Sequence, residues 1–197
     1  MNHRLLFGPL AGLLLAVGVI GLGLLVPGYS QVHQTVSEIG EVGSPAQLPF
    51  TLLLCAVAAC LVVFGWGVGE ASRKAGHWTL AGWFIAATAI SAAGVGIFSF
   101  PHPLHNVFGL SETLGYQAPL VLALTWGRDA KARGLVVFSW IMFVVVWIAI
   151  GLNMSAMDRH GAIWMQIRPV YGLVQRALFA AWFGWVAGVG LMLARRE

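Results

Sequence analysis

Six apolar runs follow one another along the chain, at roughly 5–26, 49–70, 78–99, 104–126, 134–152 and 169–194. A helix needs about 20 such residues to cross the hydrocarbon of a bilayer. Inside lipid, backbone N–H and C=O groups must be satisfied within the protein, which confines a chain of this pattern to spanning helices. The Gly and Pro residues inside the runs are compatible with this, since neighbouring helices re-satisfy the freed backbone groups. The expected fold is therefore all-α: a polytopic membrane protein with one six-transmembrane-helix bundle over residues 1–197. Composition agrees, with 9% charged residues against about 25% in soluble domains.

The charges orient the bundle. Arg4, Arg73, Lys74, Arg128, Lys131, Arg133, Arg195 and Arg196 fall on one side, and only Arg159, Arg168 and Arg176 on the other. The positive-inside rule then predicts cytoplasmic N- and C-termini and, for a prokaryote-like chain, the cytoplasmic (inner) membrane. No basic helix and no basic run with interleaved aromatics points to nucleic acid. The 22 apolar residues from Leu5 to Val26 exceed a signal-peptide core of about 7–15 and no A-x-A site follows, so a retained first span is expected. Cys55 and Cys60, five apart on one helix, point about 140° apart and read as small core residues.

The fourth span is short if counted from Leu110. Pro103 suits a first helical position, because its missing N–H would have no partner there. A helix from about Leu104 to Trp126 reaches the length of a span, and Pro169 is expected to open the sixth in the same way.

Chemistry collects on the expected outer side. His33, His102, His105 and His160 come from three separate segments of that side. Imidazole is the commonest metal ligand, so these four form a candidate site for a divalent metal such as zinc. No H-E-x-x-H motif supports it. Glu38 and Glu41 are possible oxygen ligands, and Asp158 is placed to orient an imidazole. His3 and His77 fall inside, as ordinary interfacial residues. On a helix from Pro103, steps of four, three and four put His105, Gly109, Glu112 and Tyr116 on one face. Arg176 lies at a depth similar to Glu112, and ionisable groups there pair or face a wet cavity. The expected pair is Glu112 with Arg176, either a structural lock between helices or a catalytic cavity wall. His33, Ser37, Glu38, His105, Tyr116, Arg168, Gln175 and Arg176 make up the expected ligand-binding set. Three outer helix N-termini with Arg168 and Arg176 favour an anionic headgroup.

Three stretches carry a family resemblance: "HQTVSEIGEVGSP" after the first span, "GIFSFPHPLHNVFGLSETLG" across the third and fourth, and "YGLVQRALFAAWFGWVAGVGLML" in the last. Together they resemble the prokaryotic six-span proteins grouped as domain of unknown function 998 and, more remotely, the eukaryotic Frag1/DRAM/Sfk1 membrane proteins, some tied to lipid remodelling. The resemblance implies the six-span topology and that His33, Ser37, Glu38, Gly40, His105, Gln175 and Arg176 recur. It supplies no reaction.

Three functions fit these residues. The first is a binding protein whose outward pocket holds a membrane lipid or other amphiphile by its headgroup. The second is a metal-dependent membrane hydrolase or lipid-remodelling enzyme, with Glu112 as acid or base and Arg176 on developing negative charge. The third is a haem-binding redox protein, which would want two histidines facing each other inside the bundle. Transport is disfavoured by the small size and the lack of internal repeats.

Overall fold

The computed structural model describes residues 2–196. Eight helices carry the fold: α1 (Phe7–Gly23), α2 (Gln47–Lys74), α3 (Leu80–Ile97), α4 (Pro103–Gly115), α5 (Ala118–Trp126), α6 (Arg133–Met154), α7 (Ala162–Ile167) and α8 (Tyr171–Ala194). With their flanking 3-10 turns they form six helical segments long and apolar enough to cross a membrane. The protein is an integral membrane protein of the expected class. Leu13, Val17, Ile90, Leu124 and Ile148 lie exposed on the flanks, where lipid replaces water.

The helices close into a ring. α1 packs on α2, α2 on α3, α3 on α4, α5 on α6, α6 on α8, and α8 returns to α1. Leu61, Phe64, Ile85, Leu122, Trp182 and Trp185 fill the centre. Trp185 Nε1–H donates to Ser139 Oγ at 3.0 Å, so its polar atom is satisfied without water. One close crossing, α2 on α3, uses glycine: a Cβ on Gly65 would sit 2.7 Å from the Gly82 carbonyl. Small residues at such crossings let membrane helices approach closely.

Two spans differ from expectation. The fourth starts at Pro103 as expected, with His102 Nδ1 accepting from Leu104 N–H at 3.1 Å, but it is broken. Pro119 has no N–H, so the Gly115 carbonyl loses its helical donor, and the chain turns at Tyr116 and Gln117 between α4 and α5. The sixth span begins at Ala162, and Pro169 lies inside it in a 3-10 turn. Pro169 therefore does not open the sixth span: its turn joins α7 to α8.

The two ends of the bundle are built differently. At one end short joints carry exposed ion pairs, Arg4–Glu70 at 2.6 Å and Lys74–Glu70 at 3.4 Å, with His77 3.5 Å from Asp129. At the other, longer loops are knitted together. Val42 N–H donates to the Phe100 carbonyl at 2.9 Å and Leu173 N–H to the Val32 carbonyl at 3.3 Å. His33 Nδ1–H donates to the Pro169 carbonyl at 2.5 Å.

Candidate functional site

The break in span four opens a site at the loop-rich end. α5 packs on α6, whereas α4 leans onto α3 and makes no comparable contact with α6 or α8. Between them lies a cavity of about 520 Å³. His105, Gly109, Glu112 and Tyr116 line it along one face of span four, the stripe that the spacing predicts. Asn106, Asn153, Tyr171 and Gln175 add polar groups, and Leu110, Ile150, Met154, Met157 and Phe179 supply apolar walls. A smaller chamber of about 50 Å³ continues toward the core, sharing Ser37, Val95, Glu112, Tyr116 and Phe179 with the first. Trp182 lines that chamber, and its buried Nε1–H has no protein acceptor among the described residues.

The upper wall joins a loop to α4. His105 is 5% exposed and both ring nitrogens are engaged. Nδ1 is 2.9 Å from the Phe98 carbonyl, and Nε2 is 3.0 Å from Ser37 Oγ. A carbonyl only accepts, so Nδ1 carries the proton and Nε2 accepts from the serine hydroxyl. Deeper, Tyr116 O–H donates to Glu112 Oε2 at 2.7 Å. Glu112 Oε1 has no hydrogen-bond partner among the described residues. On α8, Gln175 Oε1 accepts from Val36 N–H at 2.6 Å, and its amide Nε2 donates to no protein group among the described residues.

The family model described as "Protein of unknown function (DUF998)" matches residues 9–192. The chain belongs to the DUF998 family. No curated protein and no solved structure matches it.

In this DUF998 chain Arg176 is not the partner of Glu112. Its Nε–H donates to Gln31 Oε1 at 2.9 Å, its Nη1 to the Gln34 and Gly172 carbonyls at 3.0 and 2.8 Å, and its Nη2 to Tyr29 Oη at 2.5 Å. Gln31 passes the connection on to the Val19 carbonyl of α1 at 3.3 Å. The guanidinium thus pins the loop before α2 onto α8, and uncharged acceptors rather than a carboxylate satisfy its N–H groups. Burial pushes the Tyr29 hydroxyl above the ordinary tyrosine value, against the lowering pull of Arg176.

Glu38 is also engaged in the loop. Its Oε1 accepts from Thr35 N–H and Thr35 Oγ, both at 2.8 Å, and its Oε2 from Gln34 Nε2 at 2.8 Å. This is a capping box around the 3-10 turn Val36–Gly40, not a metal carboxylate. The T-x-x-E spacing was the sequence signal for it. Glu41 and Arg168 are exposed and line neither chamber.

The four outer histidines of this chain do not converge. His33 binds the Pro169 carbonyl, His102 caps α4, His105 binds Ser37, and His160 lies exposed where Asp158 Oδ1 accepts from its backbone N–H at 3.1 Å. Asp158 therefore caps a turn instead of orienting an imidazole. No group of three or more His, Cys, Asp or Glu among the described residues is placed to hold a metal. A facing pair for haem is missing too, since His105 is the one buried histidine among the described residues. Apart from the exposed Arg168, the expected set of His33, Ser37, Glu38, His105, Tyr116, Arg168, Gln175 and Arg176 resolves into two groups. Ser37, His105, Tyr116 and Gln175 line the cavity; His33, Glu38 and Arg176 hold the loop that forms one of its walls.

Proposed function

We propose that this DUF998 protein binds an amphiphile at the extracytoplasmic face of a prokaryotic inner membrane. The acyl chain lies between α4 and α6, and the headgroup sits among Ser37, His105, Glu112, Tyr116 and Gln175. The observation that carries this reading is the cavity of about 520 Å³ opened where α4 diverges from α6. Ligand sites of this size, mostly apolar with a few convergent polar groups, favour the gaps between helices of bundles. The charge bias of the joints supports the outward orientation.

The lining also selects a headgroup. Arg176 donates its hydrogen bonds to the loop and to Gly172, and no Lys or Arg lines the cavity. Glu112 offers acceptor oxygens there. The lining therefore suits a neutral, hydroxyl-rich head better than a phosphate, and the anionic headgroup that the arginines first suggested is disfavoured. Thermal unfolding of the detergent-solubilised protein tests this with a monoacylglycerol and a phosphatidic acid of equal chain length. The monoacylglycerol should raise Tm by several degrees and phosphatidic acid by clearly less. Equal shifts, or none, would refute the headgroup assignment.

A further inference from the structure

The wall of the cavity carries the parts of a nucleophile. Ser37 Oγ–H donates to His105 Nε2 at 3.0 Å, and His105 Nδ1–H is fixed on the Phe98 carbonyl at 2.9 Å. That tautomer leaves Nε2 as the base on the serine side. This is the nucleophile–base–orienter arrangement of acyl transfer, with a backbone carbonyl as the orienter. The imidazole is held firmly: it is buried and meets the edge of Phe100 with ring centroids 5.9 Å apart. Ser37 lines both chambers, so its hydroxyl sits where an amphiphile's head would lie. Two donors near it are free of protein partners among the described residues, the Ser37 N–H and Gln175 Nε2. A lock between loop and helix would need neither the cavity nor unpaired donors beside the hydroxyl.

We propose that Ser37 and His105 form a metal-independent nucleophilic dyad that cleaves a carboxylic ester of the bound amphiphile; this rests on the amphiphile-binding reading above. Ser37 Oγ attacks the ester carbonyl carbon while its proton passes to His105 Nε2. The C–O bond to the alcohol breaks, and the imidazolium returns that proton to the leaving alkoxide. The acyl group now rests on Ser37 as an ester. Water, deprotonated by His105 Nε2, attacks that ester, releases the carboxylic acid and restores the serine. The carbonyl oxygen carries negative charge in both steps, and Ser37 N–H and Gln175 Nε2 are the donors available to it. Glu112 lies deeper and has no part in the proton transfers.

The test is covalent labelling of the intact, detergent-solubilised protein with an alkyl fluorophosphonate, which reacts with activated serines. Intact mass should show one adduct per chain, and peptide mapping should place it on Ser37. Ser37→Ala should lose the adduct, and His105→Gln should slow labelling by about 10²–10⁴-fold, the usual contribution of a general base. A wild-type protein that is stabilised by monoacylglycerol but leaves Ser37 unlabelled overturns the dyad and leaves the binding reading standing. Labelling at Ser37 without any amphiphile stabilisation overturns the binding reading instead. Because the deciding result is the labelled position in the wild-type chain, poor folding of a variant does not remove the test.

Discussion

Ser37 and His105 meet at 3.0 Å although 68 positions separate them in the chain. The contact joins the loop before α2 to the start of α4, across the mouth of the cavity. It depends on two things at once. The capping box and Arg176 shape the loop, and the break at Pro119 sets where α4 lies. Each support can be removed separately.

Gly109 sits on the cavity face of α4, and a Cβ built there meets nothing within 4 Å. Gly109→Ala should raise stability by about 0.5–1 kcal/mol, the usual gain on replacing a helical glycine. Gly109→Phe should fill the cavity while the fold persists. Thermal unfolding with and without monoacylglycerol should show normal folding of both variants and loss of the ligand-induced shift in Gly109→Phe alone.

Arg176→Gln removes charge-assisted hydrogen bonds that fix the 27–46 loop. The cost should be about 2–4 kcal/mol, given about 1.5–3 kcal/mol for a hydrogen bond to a charged group. Limited proteolysis should cut within 27–46 faster than in wild type. Glu112→Gln shares no partner with it, so the two effects should add within about 0.5 kcal/mol. A clear departure from additivity in denaturant unfolding would restore the Glu112–Arg176 pair.

Thr35→Ala removes the side-chain half of the capping box at Val36–Gly40 and leaves the backbone N–H of residue 35 on Glu38 Oε1. A lost N-cap costs about 1 kcal/mol, and the Ser37 hydroxyl should lose its fixed position. Stability should fall by that amount, and fluorophosphonate labelling should slow.

Pro119→Ala restores an N–H for the Gly115 carbonyl and removes the cause of the break. α4 should then swing toward the line of α5 and narrow the cavity. Spin labels at Val107 and Met157 should report a shorter distance between α4 and the end of α6, and monoacylglycerol should stabilise the variant less.

The spans were legible in the chain because lipid imposes one length and one polarity on every crossing helix. Pro103 gave the true start of α4, and the 3.6-residue period gave the stripe from His105 to Tyr116. The role of Pro119 was harder to see, since a proline inside a membrane helix is tolerated and need not break it. Arg176 was misread for a different reason. A buried cation was expected to find a carboxylate, but the Gln34 and Gly172 carbonyls satisfy it, and backbone acceptors leave no trace in residue identity. The Phe98 carbonyl that orients His105 was invisible on the same ground. The four histidines shared an end of the bundle without sharing a site, because placing residues on one side of a membrane fixes their depth and not their separation.

The cavity between α4 and α6 is tested most directly by photolabelling with a diazirine-bearing monoacylglycerol, followed by peptide mapping. Adducts should fall on cavity residues such as Asn106, Leu110, Met154 and Phe179, and Gly109→Phe should abolish them. Adducts confined to outer flanks such as Leu13 and Ile90, or unchanged by Gly109→Phe, would contradict the assignment.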